Sequence, residues 1–112
     1  MSVESNALTG SIPLPIFNIS SLKMLDFHYN KLSGSLPDNI CQNLPILQQL
    51  SLAFNQLTGS IPSQWLQCKE LQFLWFSSNH FTGSIPTSIG NLTNLENLDL
   101  GFNNLTGITY IH

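Results

Sequence analysis

One five-residue motif returns five times at a nearly constant spacing. It reads Asn6-Ala7-Leu8-Thr9-Gly10, Asn30-Lys31-Leu32-Ser33-Gly34, Asn55-Gln56-Leu57-Thr58-Gly59, Asn79-His80-Phe81-Thr82-Gly83 and Asn103-Asn104-Leu105-Thr106-Gly107. The asparagines stand 24, 25, 24 and 24 residues apart. Two residues after the glycine comes an apolar residue and then proline (Ile12-Pro13, Leu36-Pro37, Ile61-Pro62, Ile85-Pro86), a rule the fifth copy breaks. Before each asparagine, apolar residues recur at fixed offsets, as in Leu47, Leu50, Leu52 and Leu95, Leu98, Leu100. Such a period marks a stack of coils: one coil cannot bury its own apolar face, and its neighbours bury it instead.

The alternation Leu50-Ser51-Leu52 is that of a short strand with one buried face. Each coil therefore contributes one strand, and the rest of the coil brings the chain back to lie beside it in parallel. We expect strands at residues 1–4, 24–28, 49–53, 73–77 and 97–101, stacked at ~4.8 Å in one curved sheet. The asparagine after each strand can donate and accept at once. A column of Asn6, Asn30, Asn55, Asn79 and Asn103 thus satisfies turn backbone groups that water does not reach. The glycine suits a bend that needs a small residue or a positive φ. The proline keeps the outer side extended or in short 3₁₀ turns. The one long coil, between Asn30 and Asn55, takes up its extra residue around Cys41-Gln42-Asn43, on the outer side.

Composition narrows the function. The chain has three lysines, no arginine and a net charge of -3, which excludes the clustered basic surface that nucleic-acid binding needs. At 42% apolar residues it is not a disordered chain, and its apolar runs are too short for a transmembrane helix. The start, MSVESNALTG, has neither the basic nor the apolar region of a secretory signal.

Candidate chemistry is thin. No phosphate-binding, dinucleotide, nucleophile-elbow or zinc-protease string is present, and we expect no catalytic residue, metal or cofactor. Asp26 and His28 share a strand face with Ser51 on the next strand, superficially a base and a nucleophile. Asp99 repeats the aspartate at the equivalent position, which makes it an ordinary feature of the coil. Cys68 falls at a coil position otherwise held by Ile19, Leu44 and Leu92, and reads as a small core hydrophobe. A Cys41–Cys68 bridge is possible, but the narrow geometry of a disulfide and the displacement of Cys41 along its turn favour two unpaired thiols.

The composite string Leu-x-x-Leu-x-x-Leu-x-Leu-x-x-Asn-x-Leu-x-Gly-x-Ile-Pro resembles the plant-specific leucine-rich repeat over residues 1 to about 108. Departures are mild: Phe27, Phe76 and Phe81 replace leucines, and so does Cys68. The resemblance implies a leucine-rich-repeat solenoid, α/β in class but mostly β, of about five coils, with parallel strands on the concave face and short 3₁₀ or extended segments on the convex one. Met1 stands where a strand leucine belongs, so we expect the terminal caps of the family to be missing from this segment. We therefore expect residues 1–112 to be one uncapped segment of a larger receptor, weakly stable and prone to associate when isolated.

The resemblance also implies a non-enzymatic recognition module from the ectodomain of a plant receptor-like kinase or receptor-like protein, extracellular at the plasma membrane. It would bind a peptide or protein ligand and a co-receptor kinase; any serine/threonine kinase domain would lie elsewhere in the parent. The alternatives are a polygalacturonase-inhibitor-like protein, which the low charge of the concave face disfavours, or a non-functional truncated product. Between the buried leucines, the concave face presents Met24, Asp26, His28, Gln49, Ser51, Ala53, Phe73, Trp75, Ser77, Asn97 and Asp99. Phe73 and Trp75 are the anchors expected, because aromatic residues dominate interface energetics. Asp26, Gln49, Asn97 and Asp99 are the expected polar readers. Tyr29, Phe54 and Phe102, just before the asparagines, are expected to pack at the strand edge. Asn18, Asn91 and Asn104 open N-x-Ser/Thr sequons and are glycosylation candidates if the parent is secreted.

Overall fold

A computed structural model describes Met1 and residues 7–106. Eight short strands run along it: β1 (Thr9–Gly10), β2 (Met24–Asp26), β3 (Lys31–Leu32), β4 (Gln49–Ser51), β5 (Phe73–Trp75), β6 (Thr82–Ser84), β7 (Asn97–Asp99) and β8 (Asn104–Thr106). The principal sheet is β2-β4-β5-β7, all parallel. Its register repeats the sequence period, so Leu25, Leu50, Leu74 and Leu98 lie side by side. The first three are fully buried, and Leu98 is half-buried. Flanking residues point to the opposite, concave face, as strand geometry requires.

Backbone bonds continue past each strand, as in Phe27 N–H to the Ser51 carbonyl (2.9 Å) and Phe54 N–H to that of Ser77 (3.0 Å). The expected strands at 24–28, 49–53, 73–77 and 97–101 thus each extend two residues beyond the observed ones, where the chain begins to turn. The strand expected at residues 1–4 lies outside the described residues except for Met1. The Met1 carbonyl accepts from Asp26 N–H at 3.0 Å, at the edge of β2.

Asn30, Asn55, Asn79 and Asn103 form a bonded column, and Asn6 lies outside the described residues. Asn55 Nδ2 donates to the Leu52 carbonyl of its own coil and the Phe27 carbonyl of the preceding one, both at 3.0 Å. Its Oδ1 accepts from Leu32 N–H, also at 3.0 Å. Asn79 repeats the pattern on Phe76, Leu52 and Leu57, and Asn103 repeats it on Leu100, Phe76 and Phe81. Asn30, Asn55 and Asn79 are buried, whereas Asn103 is half-buried.

The residue before each of these asparagines holds a left-handed backbone: φ is 56° at Tyr29, 58° at Phe54, 57° at Ser78 and 54° at Phe102. That conformation turns the side chain outward. Tyr29, Phe54 and Phe102 are exposed, which corrects the expectation that they pack at the strand edge.

Further pairing lies outside the principal sheet, at the segments around the positive-φ glycines. Thr9–Gly10 (β1) and Thr82–Ser84 (β6) each pair in parallel with the stretch that follows the asparagine of the next coil, Lys31–Leu32 (β3) and Asn104–Thr106 (β8), and an isolated bridge joins Ser60 to Thr82. The glycines permit it: at Gly59, φ is 82° and an added Cβ would stand 3.1 Å from Ser35 Cβ of the preceding coil.

On the convex side, Pro13 and Pro86 precede 3₁₀ helices at Leu14–Asn18 and Thr87–Asn91. The 25-residue coil instead makes one α-helical turn, α1 (Ile40–Asn43). Cys41, in that turn, is bonded to Cys68 with Cα atoms 4.9 Å apart, and both are fully buried. The expectation of two unpaired thiols is therefore corrected: the extra residue winds into a helical turn that brings Cys41 against the next coil. The coil position of Cys68 is buried at Leu44 and Leu92 as well, but exposed at Ile19. Trp65 fills the core of the following coil, its indole N–H donating to the Pro62 carbonyl and its ring centroid 6.0 Å from that of Phe76.

Candidate functional site

Three rows of side chains cross the concave sheet. The first is Met24, Gln49, Phe73 and Asn97, and the second is Asp26, Ser51, Trp75 and Asp99. The third, at the mouth of the turns, carries His28, Ala53 and Ser77. Ser51, Ala53 and Ser77 are small and buried. Around them stand larger groups, and the result is a hollow of about 240 Å³. His28, Tyr29, Phe54, Trp75 and Asp99 line it with these small residues.

The walls hold one another. Tyr29 and Phe54 stack with centroids 4.3 Å apart, and the His28 ring meets Tyr29 edge-on at 5.2 Å. His28 Nδ1 contacts the Asp26 carboxylate, which also accepts from His28 N–H at 3.3 Å. Trp75 donates its indole N–H to Asn97 Oδ1 at 2.9 Å, and Phe73 lies against it at 5.6 Å. Asp99 accepts from Gly101 N–H at 3.1 Å and remains exposed.

Of the residues singled out in sequence, the hollow gathers His28, Ser51, Trp75, Ser77 and Asp99. Met24, Gln49, Phe73 and Asn97 form the row beside it. Asp26 is buried behind His28, so its carboxylate orients the imidazole rather than facing solvent. Ser51 has about 1% of its surface exposed, too little for a nucleophile to meet a substrate. Tyr29 and Phe54 belong to the site although the repeat alone does not place them there; the signal was a large aromatic residue before the asparagine. Among the described residues no cluster of His, Cys, Asp and Glu could hold a metal ion. Asn18, Asn91 and Asn104 are all exposed, the first two as the last residues of the convex 3₁₀ helices. No helix among the described residues is long and apolar enough to cross a membrane.

Comparison with known proteins bears on this geometry. The family model Leucine Rich Repeat matches residues 21–43 and 47–68, and the model Leucine Rich repeats (2 copies) matches 69–111. Among solved structures, a chain of the BIR3–SERK2 complex from Arabidopsis thaliana is 40% identical, with a TM-score of 0.87 over 96% of this chain and 57% of that one. The ectodomain of the Arabidopsis thaliana membrane receptor kinase GASSHO1/SCHENGEN3, solved with CASPARIAN STRIP INTEGRITY FACTOR 2, is 45% identical, with a TM-score of 0.89 over 94% of this chain and 13% of that one. The Arabidopsis receptor kinase HAESA, solved with the peptide hormone IDA and the co-receptor SERK1, is 34% identical, with a TM-score of 0.88 over 92% and 17%. The chain thus spans between about an eighth and somewhat over half of these three proteins' chains. Period, asparagine column and structural likeness agree: the chain belongs to the leucine-rich-repeat family, in the form found in plant receptor ectodomains.

Proposed function

We propose that this chain is a non-enzymatic recognition module that docks an extended peptide or a protein segment along its concave face. The observation that carries the reading is the hollow at Trp75, where three aromatic side chains stand around a floor of small residues. Aromatic groups held rigidly at a concavity are the usual source of binding energy at an interface. Trp75 is fixed from both sides, by Phe73 and by its bond to Asn97, so little rotamer freedom is lost when a ligand arrives. Phe73 and Trp75 act as anchors, with Gln49, Asn97 and Asp99 as polar readers beside them.

The similar structures solved with a peptide hormone or a co-receptor support a peptide ligand and a co-receptor kinase as partners. A buried disulfide fits an oxidising compartment. That supports an extracellular location, with exposed Asn18, Asn91 and Asn104 open to glycosylation and any kinase domain belonging to the parent receptor. The test is selection of a phage-displayed random peptide library on the immobilised chain. Peptides that bind it and lose at least ten-fold in affinity to Trp75→Ala support the reading; binders indifferent to Trp75→Ala and Phe73→Ala contradict it.

A further inference from the structure

We infer that the hollow at Trp75 is a side-chain pocket for a cation, taking an arginine or lysine of the docked peptide; the inference rests on the peptide-docking reading above and specifies it. Size is the first argument. At about 240 Å³ the hollow falls below the ~300–1,000 Å³ of sites that enclose a whole drug-sized ligand. It suits one long side chain.

Charge is the second. Asp99 brings a carboxylate to the rim, and only its Oδ1 is engaged by Gly101 N–H. None of the three lysines of the chain lines the hollow. His28, the basic group among the described lining residues, has Nδ1 held against the Asp26 carboxylate, so that pair adds no net positive charge to the hollow. The field in the hollow is therefore negative. An anionic side chain would be repelled, and a purely apolar one would strip water from Asp99 without replacing it.

The third argument is the wall. Trp75, Tyr29 and Phe54 present aromatic surface beside the carboxylate. Cations bind best over such rings, the indole most strongly, and a guanidinium both stacks on an aromatic face and pairs with a carboxylate. The floor of Ser51, Ala53 and Ser77 provides the depth for an aliphatic stem to lie in.

The experiment is a proton NMR titration of the 112-residue chain with N-acetyl-argininamide, using N-acetyl-norleucinamide as the uncharged control. Two indole N–H resonances report, and Trp65, fully buried, is the internal reference. We expect the arginine probe to move the Trp75 resonance saturably, the Trp65 resonance to stay in place and the norleucine probe to have at most a third of that effect. Asp99→Asn should weaken the arginine probe at least three-fold, and Asp99→Lys should abolish its effect. Equal response to both probes, no response to arginine, or full response in Asp99→Asn overturns the inference. Sequencing the library-selected peptides separates it from the broader reading: binders dependent on Trp75 but not enriched in arginine or lysine leave peptide docking intact and remove the cation pocket.

Discussion

The rings of Tyr29 and Phe54 lie 4.3 Å apart with their planes inclined by 9°, although neither side chain enters the core. Both residues hold a left-handed backbone, with φ of 56° and 58°. For a bulky residue that conformation costs roughly 1–2 kcal/mol, and an aromatic pair returns ~0.5–1.5 kcal/mol. The turn geometry imposed by the asparagine column thus pushes two aromatic rings out of the interior, and they stack to wall the hollow. Strained residues at a concavity are a common accompaniment of binding sites.

Phe102 holds the same backbone, with φ of 54°, and is 88% exposed. Asparagine tolerates the left-handed region far better than phenylalanine. Phe102→Asn should therefore stabilise the chain by ~0.5–1 kcal/mol, read as a rise in melting temperature. A fall would mean that the ring makes contacts that matter to the fold.

Two glycines separate backbone strain from open space. Gly59→Ala must place a Cβ at positive φ and 3.1 Å from Ser35 Cβ, and should cost ~1–3 kcal/mol. An added Cβ at Gly90 meets nothing within 4 Å, so Gly90→Ala should be neutral or slightly stabilising. Urea melts of the two variants give the comparison; similar midpoints would contradict the close approach of adjacent coils.

Replacing Asn55 with alanine strands Leu32 N–H in the interior and takes one of two amide donors from each of the Phe27 and Leu52 carbonyls, which Asn30 and Asn79 still serve. The expected loss is ~1–3 kcal/mol. Asn103→Ala should cost less, because Asn103 is only half-buried and water can replace part of its bonding. A larger loss at Asn103 than at Asn55 would show that burial does not set the strength of the column.

The disulfide gives a chemical prediction. Cys41 and Cys68 are fully buried, so thiol labelling of the native chain should detect no free thiol, and mild reductant should release thiols only slowly. The double variant Cys41→Ala/Cys68→Ala should lose ~3–4 kcal/mol, the value of a cross-link closing a loop of this length. Two thiols that titrate at once in the untreated native chain would refute the bridge.

The stack of coils, its register and the asparagine column were legible because all three follow from a strict period and from the bonding capacity of one amide. The disulfide was not: pairing depends on how the long coil spends its extra residue, and a helical turn at Cys41 is a tertiary outcome. The pairing of β1 with β3 and of β6 with β8 depends on coil-to-coil distance at the glycines, which the period does not state. The hollow was legible in part. Trp75 and Asp99 could be placed on the concave face from alternation alone, but its depth comes from Ser51, Ala53 and Ser77 on two different coils, and its wall from rings that the repeat alone suggests are packed away.

The most direct measurement compares the affinity of a library-selected peptide for Trp75→Ala and for Leu66→Ala, an exposed apolar residue outside the concave strands, with folding of both variants confirmed by circular dichroism. Recognition on the concave face predicts at least a ten-fold loss for Trp75→Ala and less than a two-fold change for Leu66→Ala. Equal losses, or a loss confined to Leu66→Ala, would place binding elsewhere on the coil stack and contradict the account.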